Sequence, residues 1–398
     1  MDVVNLAIFY GGKSPEHEVS IISAVEFMQT AVNCRYNIIP VYIALTGIWY
    51  TGTPLMNLNC YSPFTPHTKG IETCYIDVTD NTGTLKIGNK RRLFNLNNKT
   101  MGHKDIHIDC ACIIMHGAYG EDGSLQGFFE IANIPYTSTG IAGSAIGLDK
   151  ILLKQFLNGA GYPVLESTWI SRSEYEKEPV KTIAKIETVI GYPVFVKPSN
   201  LGSSIGISKV TNYSELPEAL TLAFSLDRRV LLERALDNPV EVNCAVIGYD
   251  DCCEASTLEL IKTHGEVLTT DGKYIHPYEH VIPAPLPEKL SKRIQSMSED
   301  MFRVMDCKGI IRIDYMIDMA TETVFVTEVN TIPGSMAHYL WTTQGIKYEA
   351  LIDRIVCCAI KAHEDKNKNE YVYKTSILFA ISNKGGKHIG GKVPGNVK

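Results

Sequence analysis

The sequence predicts an α/β N-terminal part followed by α+β parts, on three observations. The apolar run 3–10 (VVNLAIFY) enters Gly11-Gly12, a helical pattern covers residues 20–33, and a second apolar run begins at Ile38. Strand–helix–strand order of this kind implies a parallel sheet with helices on its faces. From about Leu148 the style changes, and helical patterns (Lys150–Asn158, Ser214–Ser225) flank short strands (Pro193–Lys197, Ile205–Val210, Arg229–Glu233). Finally, Gly309–Gly334 alternates like two strands joined by a tight turn. A chain of 398 residues holds two or three domains of ordinary size. The expected division is 1–146, 147–236 and 237–365, with a tail over 366–398.

Composition narrows the function. Hydrophobic residues make up 45% and charged residues 21%, as in ordinary globular proteins. The net charge is −6 and no long basic run precedes the C-terminal tail, which argues against nucleic acid as the main partner. No apolar run has the length of a bilayer span. The start, MDVVNLAIFYGG, reads as a first strand rather than a signal peptide. Eleven scattered cysteines include no C-x-x-C pair, so a zinc site is poorly supported; reduced thiols and a cytoplasmic address are expected.

The elements follow in order. Gly12-Lys13-Ser14 suggests a phosphate-binding P-loop, but such a loop needs glycine five positions before its Gly-Lys pair, and that position is Ala7. A glycine turn entering a helix near Pro15, Glu16 and Glu18 fits better, since proline and acids suit a first helical turn. Residues 46–108 are polar and irregular and read as hairpins and loops. The strand Cys110–Met115 runs into His116-Gly-Ala-Tyr-Gly-Glu-Asp-Gly123 and then a helical pattern. Turns at the carboxyl end of such a strand lie where open α/β sheets bind ligands, although glycine is also common there for steric reasons alone.

In the middle region, a strand ends in Lys197 and leads into Pro198-Ser-Asn-Leu-Gly-Ser-Ser204. Backbone N–H groups in such a loop can converge on a phosphate, with lysine adding charge; a plain flexible hairpin is the alternative. Val230–Glu233 leads through Arg234–Pro239 to Glu241, which suits either an adenine edge with a ribose carboxylate or a simple domain connection. Leu258–Pro287, rich in His, Tyr, Pro and Thr, has the character of a lid. A helix over 288–305 then precedes the hairpin, and a last helix covers Tyr348–His363. The Lys- and Asn-rich tail contains a strand-like piece, Ser376–Ile381, with no readable role. Within the hairpin, Arg312 and Asp314 share one face of the first strand, and Glu328 and Asn330 share one face of the second. Paired, they would bring three oxygen-bearing side chains and a guanidinium together, a set that suits Mg²⁺ and equally suits a wet surface hairpin.

The ordered motifs GG-x-S-x-E-x-EVS, HG-x-x-GEDG-x-LQG, LDK, VKPS-x-x-GSS-x-G, the spaced pair Glu233 and Glu241, R-x-D and EVNT-x-PG resemble the D-alanine–D-alanine ligase family of the ATP-grasp superfamily, over roughly residues 4–362. The resemblance implies an ATP-grasp fold behind a Rossmann-like N-terminal domain. It implies ATP-dependent joining of two D-alanines through an acyl phosphate, for peptidoglycan precursor and cell-wall synthesis, by a typically homodimeric enzyme. Lys150 and Lys197 would contact the ATP phosphates, and Gly202, Ser203 and Ser204 would cover the γ-phosphate. Glu233, with the backbone of Arg234 to Leu236, would bind adenine, and Glu241 the ribose. Asp314, Glu328 and Asn330 would hold two Mg²⁺ ions, which Mn²⁺ can replace. Glu16 would bind the first D-alanine's ammonium near His116, and Arg312 with Gly334 would form the oxyanion hole. Lys273 and Tyr274 would come from the lid, Lys273 toward the γ-phosphate and Tyr274 toward Ser203 and Glu16.

Two departures bear on the second substrate. The lid carries Leu268-Thr-Thr-Asp-Gly where the family has more aromatic and acidic residues, and His276 and His280 lie near Tyr274. At Tyr339-Leu340 the family commonly has a serine–leucine pair that binds the second substrate's carboxylate. D-serine or D-lactate as second substrate, or a catalytically silent nucleotide-binding protein, are the alternatives to D-alanine ligation.

Overall fold

The computed structural model describes residues 3–79, 82–88, 104–262 and 279–372. By packing, the chain divides into Met1–His363 and Glu364–Lys398. The described part of the second unit comprises the end of a long helix and the residues up to Val372. Ser376–Ile381 lies outside the described residues.

Three sheets make up the first unit, and each occupies its own span of sequence. The first contains β1 (Val4–Gly11), β2 (Tyr36–Ile43), β3 (Trp49–Thr51), β4 (Glu72–Ile76), β5 (Thr84–Ile87), β6 (Lys104–His107) and β7 (Cys110–Ile114), in the order β6-β5-β4-β3-β2-β1-β7. β1 pairs in parallel with β2 and β7, and the pairs from β2 out to β6 are antiparallel. Leu6 to Tyr10 and Cys110 to Ile113 have no exposed surface, as expected of strands covered on both faces. The helix His17–Ala31 follows the Gly11-Gly12 turn, with Glu16 at its N-cap position.

The second sheet contains β8 (Ser167–Ser171), β9 (Val194–Pro198), β10 (Ser208–Val210) and β11 (Arg229–Arg234), ordered β10-β9-β11-β8. Its core is covered by the helices Pro179–Val189 and Leu216–Leu226. The strand expected over Ile205–Val210 starts only at Ser208. Gly206, inside that span, has φ +73°, and a left-handed residue cannot continue a strand ladder. Four short helices, Ile141–Leu148, Arg172–Lys177, Pro179–Val189 and Tyr339–Thr342, are additional to those the sequence pattern suggests.

The third sheet contains β12 (Val240–Tyr249), β13 (Cys252–Ala255), β14 (Glu259–Lys262), β15 (Glu279–Val281), β16 (Lys308–Asp318) and β17 (Thr323–Asn330). The main order is β15-β14-β12-β16-β17, with β13 also pairing β12. The two ends of the lid-like Leu258–Pro287 segment are thus strands of this sheet, and residues 263–278 between them lie outside the described residues. The helix Glu288–Val304 packs on the apolar face through Leu290, Ile294, Met301 and Phe302. The helix Tyr348–Lys366 places Leu351, Ile352, Ile355, Val356 and Ala359 in the core of the first sheet, which also takes in Ala245, Ile247 and Ile310. The first and third sheets therefore share one apolar core.

Gly309, near the start of β16, has φ +76°, and a Cβ there would lie 2.1 Å from the carbonyl oxygen of Thr137. Both the left-handed backbone and the close approach require glycine. Gly309→Ala is expected to lower unfolding free energy by about 2–4 kcal/mol, read from the shift in denaturant midpoint. An unchanged midpoint would contradict this packing.

Candidate active site

The register of β16 and β17 builds the polar floor of the site. Arg312 pairs with Asn330 and Asp314 with Glu328, and a bulge follows at Asp314/Tyr315. Thr327 is the extra residue, and its hydroxyl donates to the Asp314 carbonyl at 2.9 Å. The row continues through the neighbouring strands: Asp314 is opposite Asn243 on β12, which is opposite Glu259 on β14. Paired residues share a sheet face, so Glu259, Asn243, Asp314 and Glu328 form one line across four strands.

Arg312 grips Asp314 bidentately, Nε to Oδ1 at 2.7 Å and Nη2 to Oδ2 at 2.8 Å. The Asn330 amide adds a donor to Asp314 Oδ2 at 3.1 Å. Burial disfavours the guanidinium charge, but Asp314 outweighs it and holds the Arg312 pKa well above the usual arginine value. Lys150 stands over the next carboxylate, with Nζ 3.1 Å from Glu328 Oε1 and donating to the Leu201 carbonyl at 2.8 Å. It thereby ties the glycine–serine loop to the hairpin. Among the described residues no three His, Cys, Asp or Glu side chains form a metal-holding group. The hairpin supplies two carboxylates and an amide, which suits an ion that takes its remaining ligands from water and phosphate.

A cavity of about 760 Å³ lies on this floor. Asp314, Glu328, Asn330 and Arg312 line it, as do Lys150, Lys197 and Glu241. So do Gly202, Ser203 and Ser204 of the loop, Glu16 and His116 from the first sheet, and Gly334 and Tyr339 after β17. Lys273, Tyr274 and His276 lie outside the described residues.

Four residues expected at the site do not line the cavity. Glu233, expected at an adenine edge, has no exposed surface and is clamped between Lys154 and Lys197, and it does not line the cavity. Leu340, expected beside the second substrate, is also fully buried and packs in the core of the first sheet. Arg234 and Leu236 do not line the cavity either. The Arg234 guanidinium is held by Glu166 at 2.8 Å and by the Ile190 carbonyl at 2.5 Å.

Burial alone would raise the Glu233 pKa, but the two lysines outweigh it and keep the carboxylate ionised. Burial likewise opposes the Lys197 charge, and Glu233, Glu328 and Glu241 hold that charge in place. Lys154 had no signal of its own in the sequence beyond following Asp149-Lys150 by one helical turn. Asp149 is the N-cap of the helix Lys150–Gly159; its Oδ1 accepts from the backbone of Ile151 and Leu152 and from Ser199 Oγ. Its other oxygen pairs with Arg229. The lysine-bearing helix is thus fixed to the Lys197 strand.

At the opposite wall, Ser203 Oγ donates to Glu16 Oε1 at 2.5 Å. A Cβ on Gly202 would fall 2.8 Å from the same oxygen, and one on Gly117 would fall 2.7 Å from Glu16 Oε2. Glycine at both positions leaves room for the carboxylate. Burial lowers the His116 pKa, so the ring is neutral at neutral pH; its Nε2 lies 3.4 Å from Ser23 Oγ. Glu121 is a further residue that the glycine-rich turn signals only by position. It accepts from the backbone N–H of Gly117 at 2.9 Å and of Ile332 at 3.1 Å, joining the first sheet to the segment that follows β17. Burial, with the nearby Glu16 charge, pushes its pKa up to about 8.

Chain segments 5–139 and 156–357 match the family models described as the D-ala D-ala ligase N-terminus and C-terminus. A D-alanine–D-alanine ligase of Thermosipho africanus is 34% identical over 380 residues, covering 94% of this chain and 98% of the relative. One from Chlorobium phaeovibrioides is 35% identical over 376 residues, covering 92% and 99%. Among solved structures, the D-alanine–D-alanine ligase of Coxiella burnetii superposes with TM-score 0.76 at 25% identity, covering 97% of this chain and 100% of its own. The VanG D-Ala:D-Ser ligase of Enterococcus faecalis gives the same TM-score at 27% identity, covering 90% and 100%.

Two expectations follow from the buried charges. Lys154→Ala leaves Glu233 with one cation and is expected to destabilise the protein by about 3–5 kcal/mol in chemical denaturation; a loss under 1 kcal/mol would show that the pair is not desolvated. Glu121 binds its proton more tightly folded than unfolded, so its contribution is full below the unfolded carboxylate range and is lost as pH rises through about 8. Stability should fall by up to about 1.4 kcal/mol per pH unit across that window, and Glu121→Gln should flatten the fall. An equally steep fall in the variant would place the titration elsewhere.

Proposed function

The chain belongs to the D-alanine–D-alanine ligase family, and on that premise we propose that it joins two D-alanines at the expense of ATP through an acyl-phosphate intermediate. The observation that carries this reading is the placement of Lys150, Lys197, Glu16, Arg312 and the paired hairpin acids around one cavity. The three sheets are read as the three domains, 1–146, 147–236 and 237–365, with the cavity between them. All eleven cysteines are free thiols, which supports a reducing, cytoplasmic setting.

Each side chain has a task that its geometry suits. Glu16, oriented by Ser203, receives the ammonium of the first D-alanine. A carboxylate is a poor electrophile because its charge repels a nucleophile. Its oxygen therefore takes the γ-phosphoryl group of ATP while the bond to the ADP oxygen breaks. Lys150 and Lys197 lie against the phosphates and offset the charge they carry. Lys154 and Glu233 hold Lys197 in place from below the floor. Asp314, Glu328 and Asn330 would hold Mg²⁺, which supplies further neutralisation of phosphate charge when bound. The amine of the second D-alanine then attacks the acyl carbon, an oxyanion forms, and phosphate leaves. Arg312 and the Gly334 N–H receive the oxyanion.

The bidentate Arg312–Asp314 pair links two of these tasks. The guanidinium and the Asn330 amide occupy three of the Asp314 lone-pair sites, so a cation competes with them for the carboxylate. When Arg312 lets go, its N–H donors are released for the oxyanion. The same exchange therefore exposes the carboxylate and frees the guanidinium donors.

Incubation with ATP, Mg²⁺ and D-alanine, alone and with D-serine or D-lactate, tests the reading by product mass. D-alanyl-D-alanine with matching phosphate release is expected, and absence of phosphate release with every pair would overturn it. Glu328→Ala is expected to cut turnover at least about 100-fold with the fold intact by circular dichroism. Near-normal turnover in that variant would remove the hairpin from the phosphate site.

A further inference from the structure

We propose that His280 is the group that takes the proton from the attacking amine of the second substrate, and that Glu259 is the residue that positions it. This rests on the ligase reading and adds a residue to it. An amino acid arrives at neutral pH as an ammonium, which has no lone pair, so one proton must leave before a C–N bond can form.

Four observations single out His280. First, it lines the cavity from β15, and its Nδ1 lies 2.6 Å from Glu259 Oε1. With the Nδ1 proton donated to the carboxylate, the lone pair sits on Nε2, the tautomer a proton acceptor needs. Second, Nε2 has no hydrogen-bond partner among the described residues. Third, Glu259 is fully buried and held on its other oxygen by the Asn243 amide at 3.1 Å and the Tyr339 hydroxyl at 3.3 Å. It is thus a fixed support with no free face for substrate. Fourth, Glu259 shares a cross-strand row with Asp314, the acid that Arg312 grips, so His280 stands on the same sheet face as the expected oxyanion donor.

Of the other acids of the cavity, Glu16 is held by Ser203 and assigned to the first substrate, Asp314 is held by Arg312, Glu328 by Lys150 and Glu121 by two backbone N–H groups, and Glu241 is the acid assigned to the ribose. His116 is buried beside Ser23 on the first-substrate side. Among the described residues, the charged or titratable groups that face His280 are Glu259 on β14, Glu241 one strand further on β12, Arg312 on β16, and Tyr339 with His338 after β17. Lys262 and Glu279, paired with each other at 2.8 Å, point to the opposite face.

The step balances as follows. The ammonium gives one proton to His280 Nε2. The freed lone pair forms the C–N bond as the carbonyl becomes an oxyanion. When the oxyanion collapses, the carbon–oxygen bond to phosphate breaks, and the second nitrogen proton leaves with the phosphate. His280, half-exposed, returns its proton to water.

Hydroxylamine tests this, because it is largely unprotonated at neutral pH and traps the acyl phosphate without a base. In the full chain with ATP, Mg²⁺ and D-alanine, His280→Gln is expected to keep hydroxamate formation while dipeptide synthesis at pH 7 falls about 100-fold or more. The deficit should shrink as pH rises, since more amine then enters already deprotonated. Glu259→Gln should lower dipeptide synthesis while hydroxamate formation persists, because the ring loses the carboxylate that fixes its tautomer and orientation. Dipeptide synthesis by His280→Gln within about threefold of the unaltered chain at every pH, or hydroxamate and dipeptide falling together, would overturn the proposal. Absence of both products from the unaltered chain would instead overturn the ligase reading on which it rests.

Discussion

The antiparallel pairing of β16 with β17 is the constraint on which the rest of the site depends. Its register sets Asp314 beside Glu328 and Arg312 beside Asn330. A slip of one residue by either strand would turn that strand's two polar residues into the apolar core. Ile311, Ile313, Tyr315, Val326 and Val329 are buried on the other face, so the core fixes the register and the register fixes the site. The bulge after Asp314 re-aims the chain at that point, as bulges do beside active sites.

A floor that carries so many acids needs cations held close, and the fold supplies them from different sheets. Arg312 comes from the hairpin itself, Lys150 from the helix that precedes the second sheet, and Lys154 and Lys197 reach the fully buried Glu233. Breaking such pairs is costly because a desolvated charge is left behind. The charges therefore tie the sheets to one another as well as prepare the cavity for phosphate. The segment after β17 adds a second tie. Ser335, Met336 and Ala337 all have positive φ, a costly run for non-glycine residues. Glu26 of the first helix accepts from Ser335 Oγ at 2.6 Å and lies 3.2 Å from His338 Nε2. The two contacts hold the turn that delivers Tyr339.

Much of this was legible in the sequence because it follows from periodicity. Alternation in Gly309–Gly334 placed Arg312, Asp314, Glu328 and Asn330 on one face, and the apolar run before Gly11-Gly12 marked a central parallel strand. What stayed hidden depends on distance in sequence. Glu233 looked like a ligand-facing acid at a strand end, and only the tertiary approach of Lys154 shows it buried. Tyr339 stands where the family commonly has a carboxylate-binding serine and lines the cavity, and only the fold shows its hydroxyl reaching Glu259, eighty positions away. Glu121 gave no sign of its raised pKa, which arises from burial between two sheets.

The most direct test of the account is calorimetric titration of ATP into the unaltered chain and into Asp314→Asn, each with and without Mg²⁺. If the hairpin is the metal-bearing floor, Mg²⁺ strengthens ATP binding to the unaltered chain at least about tenfold, and the variant loses that gain, about 1.4 kcal/mol or more. An equal gain from Mg²⁺ in both proteins would place the ion elsewhere and contradict the account.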